Sequence, residues 1–267
     1  MFKQRLLTTL ILVPLVLMAI YYSNLWVLGA VVLGLIVMLG WEWLQLIPIK
    51  SPIYQGLFIV VLVLLIWPAM HWQVYWLLAD LAFWGLVLIA VLTFPASQAV
   101  WGFRGVVGGA CLLLLPFVVS AMSSLYHQEH GKDLIVYLLC LIWGSDIGAY
   151  LAGKQWGHHK LIPNVSPGKT VEGALGGIAL ALLVASVAYV YFKPIHVISW
   201  FLVAALIALI SMLGDLFISM LKRRSQVKDT GRIFPGHGGV LDRLDSLLAA
   251  LPLFYCNFML TSEYQFL

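Results

Sequence analysis

No charged residue occurs between Leu6 and Trp41. A helix needs only about 20 apolar residues to cross the hydrocarbon core of a bilayer, so this run is too long for one crossing. The polar break "YYSN" at Tyr21–Asn24 divides it into two. Apolar stretches of similar length recur to the end of the chain, at about 6–22, 25–41, 53–70, 74–94, 105–125, 134–152, 173–192, 197–218 and 240–260. The expected fold is therefore all-α: a polytopic membrane protein of about nine transmembrane helices. Composition agrees. Of the 267 residues 63% are hydrophobic and 10% charged, whereas a soluble domain is about half apolar and a quarter charged. The sequence "MAIYYSN" after the first run offers no small-residue cleavage site, so that run is expected to stay in the membrane.

Orientation follows from the basic residues. With the N-terminus inside, all but Lys132 and Lys193 of the 15 lysines and arginines fall on the cytoplasmic side, a strong positive-inside bias that predicts a cytoplasmic N-terminus and a periplasmic C-terminus. Residues 1–130 read as a block of N-terminal helices. Residues 131–267 read as C-terminal helices whose cytoplasmic loops form the catalytic region. Glycines four apart, at Gly105/Gly109, Gly144/Gly148 and Gly173/Gly177, are expected to let helix backbones approach closely. Cys111, Cys140 and Cys256 lie apart in or beside apolar segments and read as packing residues, with neither disulfide nor metal-site spacing.

Ionisable residues concentrate late in the chain. Asp146, Asp215, Asp242 and Asp245 lie in or at the ends of spans, where a carboxylate costs roughly 2.5–3.5 kcal/mol to insert and so pairs with a cation or lines a polar cavity. Glu42, between Trp41 and Trp43, and Asp80 read instead as acids snorkelling at an interface or helix end. Asp242 and Asp245, three apart, share one helical face. That spacing suits a hard divalent cation such as Mg²⁺; an ion-pair cluster with Arg243, Lys222 or Arg223 is the alternative. Asp215, Ser219 and Lys222 share a face on the preceding span, running from membrane depth to the cytoplasmic edge, and Asp146, Tyr150 and Lys154 repeat the arrangement.

Two polar loops adjoin these ends. "PGHGG" supplies backbone amides able to approach phosphate oxygens, with His237 as a further donor. In "NVSPGKTVEG", Ser166–Pro167 reads as a helix N-cap and first helical position, with Lys169 and Thr170 in the first turn and an anion site at the helix start. The "GKT" tail is not expected to be a nucleotide-binding P-loop, because the pattern requires glycine where Pro163 stands and the sequence suggests no strand before it. Topology alone explains Lys50 and Arg104. It leaves unexplained why acids, glycines and cations share the stretch from Lys222 to Asp245.

That stretch, with its lead-in, "SMLKRRSQVKDTGRIFPGHGGVLDRLD" at Ser219–Asp245, resembles the signature of phosphatidate cytidylyltransferases, also called CDP-diacylglycerol synthases. Ser219, Lys222–Arg223, Lys228–Asp229, Gly231, Phe234–Pro235, His237–Gly238–Gly239, Asp242–Arg243 and Asp245 fill its positions. The upstream stretch "SDIGAYLAGKQWGHHKLIPNVSPGKTVEGALGG" is similar too. The resemblance implies conversion of CTP and phosphatidate to CDP-diacylglycerol and diphosphate, with Mg²⁺ as cofactor and a second cation left open. It further implies a site on the cytoplasmic face of the bacterial inner membrane, a homodimer, and no nucleic-acid partner. Under it Asp215, Asp242 and Asp245 are metal ligands, with Asp146 a further candidate, and Lys222 takes part in catalysis. Lys169, Ser166, Ser219, Arg223, Lys228, His237, Gly238, Gly239 and Arg243 bind substrate. Two other classes fit less well. A CDP-alcohol phosphotransferase would place its last two aspartates four apart behind a DG…AR start, and a transporter would show broken helices in matching halves.

Overall fold

The computed structural model describes residues 2–47, 49, 51–101, 103–231 and 238–260. The described residues are mostly helical, as a backbone that must satisfy its own hydrogen bonds in lipid requires. Its helices are α1 (Phe2–Tyr22), α2 (Leu25–Leu44), α3 (Pro52–Leu64), α4 (Ile66–His71), α5 (Gln73–Leu92), α6 (Gln98–Trp101), α7 (Arg104–Tyr126), α8 (Gly131–Trp156), α9 (Val171–Phe192), α10 (Val197–Arg224) and α11 (Leu241–Leu260). Between α8 and α9 the chain forms a two-stranded antiparallel ribbon, β1 (Lys160–Ile162) with β2 (Ser166–Thr170).

Among the described residues seven helical segments are long and apolar enough to cross a membrane, α3 and α4 counting together as one. This is a multi-pass membrane protein. The other two expected spans are also helical, α1 and α11, but α11 carries Asp242, Arg243 and Asp245 in its first turns. Side chains such as Trp26 and Ile198 are almost fully exposed; on a lipid-facing surface that is their favourable location. The break between α3 and α4 falls just ahead of Pro68, which has no N–H to donate to Leu64.

The chain divides into two compact units, residues 1–80, 98–132 and 221–244 in one and 81–97, 133–220 and 245–267 in the other. In the first, Trp43 Nε1 donates to the Val107 carbonyl at 2.9 Å, fastening α2 to α7. Gln73 donates to Ser120 and Ser124 at 3.0 and 2.8 Å, and Ser120 donates to the Ala69 carbonyl at 2.9 Å. Trp43, Gln73 and Ser120 thus each find a partner for a polar group set in apolar packing, as burial demands.

In the second unit Tyr137 stacks on Trp200 with ring centroids 4.5 Å apart, and Trp200 Nε1 donates to the Ala185 carbonyl at 2.9 Å. Here α8 and α9 meet through glycine. A Cβ on Gly148 would strike the Gly176 carbonyl, and one on Gly177 would lie 2.9 Å from the Ser145 carbonyl. The glycines at 144/148 and 173/177 therefore pack helices as their spacing suggests. Gly105 and Gly109 do not, since among the described residues nothing lies within 4 Å of a Cβ built at either. Gly148→Val is accordingly expected to destabilise by about 1–3 kcal/mol, the usual penalty of overpacking, while Gly105→Ala leaves the thermal midpoint in detergent unchanged.

The loop before α9 departs from expectation. Ser166–Pro167 does not cap a helix; both residues belong to β2, and α9 begins only at Val171. The cap is Thr170, in extended conformation, whose hydroxyl accepts the Gly173 amide at 3.1 Å. Pairing of β2 with β1 holds Ser166–Thr170 extended, and Glu172 secures the ribbon by accepting from the His159 amide at 3.2 Å and contacting His159 Nδ1 at 2.6 Å. Lys169 consequently leaves from a strand end rather than a helical turn.

Candidate active site

Five of the singled-out residues, Asp146 among them, gather in the second unit. Lys169, at the end of β2, places Nζ 2.7 Å from Asp215 Oδ2 on α10 and 3.4 Å from the Met212 carbonyl. Ser219, one turn beyond Asp215, donates to Asp215 Oδ1 at 3.3 Å. Asp245 on α11 is buried, and its side chain accepts the Ser246 amide at 2.7 Å. It lies within electrostatic reach of Asp215, Asp146 and Lys169. Glycine makes this approach possible: a Cβ on Gly214 would collide with the Asp245 carbonyl, so α10 and α11 touch backbone to backbone beside the acids. Asp245 thus has two carboxylates and the Lys169 ammonium as electrostatic neighbours. Among the described residues, no three His, Cys, Asp or Glu side chains converge tightly enough to enclose a metal ion by themselves.

The second group lies in the first unit, where α10 ends and α11 begins. Lys222 Nζ donates to Asp242 Oδ1 at 2.7 Å, with 17% and 5% of the two side chains exposed. Asp242 Oδ2 accepts the amides of Thr230 at 2.9 Å and Gly239 at 3.0 Å. The ion-pair alternative raised for Asp242 is thus the arrangement present, although Asp242 shares a helical face with Asp245. The two acids differ in surroundings: one is held by a lysine and two amides, the other lies among like charges.

Arg223, Lys228 and Arg243 are exposed, Ser166 is half-buried, and Gly238 has φ +83°, a conformation glycine adopts freely. His237 lies outside the described residues. Gly239 has a further reason to be glycine, shared with Gly231: the carboxylate of Glu42 occupies the space a Cβ would need at either.

Glu42 was not foreseen as part of this group. It does not snorkel; it is 2% exposed, and Asp80 on α5 is fully buried. Glu42 Oε1 accepts the Val240 amide at 2.9 Å, and Oε2 accepts the Leu241 amide at 2.8 Å and the Thr230 hydroxyl at 3.3 Å. A signal was available, since an ionisable residue within an apolar helix is a functional candidate by default. Its place near the end of α2, flanked by tryptophans, favoured the interfacial reading. Once the loop partners are known, the reason for burial is plain: the first amides of α11 have no partner inside their own helix, and a carboxylate satisfies them.

The sequence model described as the cytidylyltransferase family matches residues 3–261. The chain belongs to that family. Among its relatives, the phosphatidate cytidylyltransferase of Haemophilus influenzae is 35% identical over 282 aligned positions, covering 95% of this chain and 97% of the relative. The protein of the same name from Pseudomonas aeruginosa is 37% identical over 260 positions, covering 95% and 96%. The Bacillus subtilis protein of that name is 45% identical over 129 positions, about half of each chain. Cytidylyltransferase family membership therefore extends along the helices as well as the charged loop, and both carboxylate groups lie within the matched region.

Proposed function

We propose that the protein transfers the cytidylyl group of CTP to phosphatidate, giving CDP-diacylglycerol and diphosphate, at the cytoplasmic face of the bacterial inner membrane. The alignment along 95% of the chain with two proteins named for this activity carries the reading. A homodimer is the proposed assembly.

In this reaction a phosphatidate oxygen attacks the α-phosphorus of CTP. The new O–P bond forms as the bond from the α-phosphorus to the β-phosphate oxygen breaks, and diphosphate leaves with that electron pair. No enzyme nucleophile is required, so the protein's task is to align the anions and offset their charge. Each of two lysines is neutralised by a carboxylate, Lys169 by Asp215 and Lys222 by Asp242. Arriving phosphates compete for these ammonium groups, and charge-assisted bonds to phosphate are strong enough to do so. Arg223, Lys228 and Arg243, exposed and close to Lys222 in sequence, add cations to the first unit's group that phosphates can meet. Ser219 and Ser166 offer hydroxyls.

The acid group of the second unit suits Mg²⁺ in chemistry. It provides hard oxygen donors with excess negative charge, and Mg²⁺ ordinarily takes one or two protein carboxylates and leaves its remaining positions to water and substrate phosphate. Asp215 and Asp245, with Asp146, are the residues that would hold it. Asp242, an expected ligand, has its oxygens engaged by Lys222 and two amides, and fits better as the partner that orients Lys222. When bound, the cation would supply offsetting charge to the phosphates.

Membranes containing the protein are expected to release diphosphate from CTP only when phosphatidate is added, in equal amount to a lipid-extractable CDP product. Diphosphate release that ignores phosphatidate would refute the transfer.

A further inference from the structure

We infer that Glu42 is a positioning residue of the reaction: through the start of α11 it fixes Asp242, and through Asp242 it sets the ammonium of Lys222. The inference rests on the reading of Lys222 as a phosphate-binding group. The connection is continuous. Glu42 reaches the α11 end of the chain through the Val240 and Leu241 amides, at 2.9 and 2.8 Å, and the other end of the loop through the Thr230 hydroxyl at 3.3 Å. Thr230 and Gly239 in turn give their amides to Asp242, which holds Lys222 at 2.7 Å.

Several details favour a specific carboxylate over a general filler. Both oxygens are used, each toward donors, and three donors converge on one group. A glutamine could satisfy one oxygen's partners but would turn an N–H₂ toward the other's, setting donor against donor. The neighbouring backbone is shaped to the group, because Gly231 and Gly239 leave no room between themselves and the Glu42 carboxylate for any side chain. The donors sit on the first residue of α11 and the one before it, where backbone N–H groups lack intrahelical partners and the helix dipole favours an anion. A buried charge costs far more than a neutral residue of the same size, so a residue here only to fill space would not be an acid.

The test is a double-mutant cycle. Glu42→Gln alone is expected to lower kcat/KM for CTP roughly 10- to 100-fold, the range typical of losing a group that orients a site residue. In a Lys222→Met background the same change should cost less than twofold, because Glu42 acts through Lys222. Amide exchange of the peptide containing Val240 and Leu241 should quicken in Glu42→Gln, with α9 peptides unchanged. Thr230→Val removes one hydroxyl donor and should lower kcat/KM roughly 2- to 10-fold, the worth of one hydrogen bond, with the same loss of effect in Lys222→Met; it decides the matter if Glu42→Gln does not fold. Losses that multiply in the double variants, or wild-type rates and exchange in Glu42→Gln, would overturn the inference. Were the wild-type protein inactive with CTP and phosphatidate, the proposed reaction and the positioning role would fall together, whereas an active wild type with unchanged kcat/KM in Glu42→Gln would overturn the inference alone.

Discussion

Asp245→Asn is expected to abolish turnover, by on the order of 10³-fold or more, without unfolding the protein. The magnitude is that of removing a group aimed at charge in the transition state. The preserved fold follows from the neighbours. Asp245 is buried on α11 within electrostatic reach of two other carboxylates, Asp215 and Asp146, as well as of Lys169. Neutralising it relieves repulsion in a setting where charge is costly, so the thermal midpoint in detergent should stay level or rise. Groups retained for function against stability behave in this way. CDP-diacylglycerol formation together with a thermal melt measures both halves. Activity within tenfold of wild type would remove Asp245 from the site, and a large fall in the melt would make it structural.

Lys222→Met should give the opposite stability result with a comparable loss of activity. Removing the ammonium leaves Asp242 buried and without its cation, which costs about 3 kcal/mol; the Thr230 and Gly239 amides remain to hold it, so the lower end of the range applies. Adding Asp242→Asn removes the stranded charge. The double variant should therefore regain most of the lost stability but none of the activity, since no ammonium is left for phosphate. A double variant as unstable as Lys222→Met would show that the ion pair does not decide folding here, and recovered turnover would mean that Lys222 does not handle substrate.

The helices were legible because lipid imposes one period and one length on every crossing. The apolar stretches at 173–192 and 197–218 became α9 and α10 within a few residues. The small-residue faces were half legible: glycine spacing permits close approach, but only a facing helix makes it real, and α8 and α9 supply one whereas Gly105 and Gly109 meet nothing. The β1–β2 ribbon was hidden because Ser-Pro is a good helix start by local rules, and strand pairing overrode it. The acids were found by their cost in a membrane, yet spacing could not separate Asp242 from Asp245. What separates them is the set of neighbours each meets: Lys222 from the end of α10 with Thr230 and Gly239 from the adjoining loop for Asp242, and Asp146, Lys169 and Asp215 from earlier helices and the ribbon for Asp245. Glu42 was missed because its partners lie 188 to 199 residues away.

The central claim is that a lipid phosphate takes the α-phosphorus of CTP at a site that needs Asp245. Purified protein in detergent, given phosphatidate and CTP labelled at either the α- or the γ-phosphate, tests it directly. The α-label is predicted to enter the organic phase as CDP-diacylglycerol and the γ-label to remain in water as diphosphate, with Asp245→Asn moving neither. An α-label that stays in water, a γ-label that enters the lipid, or unimpaired transfer by the variant would contradict it.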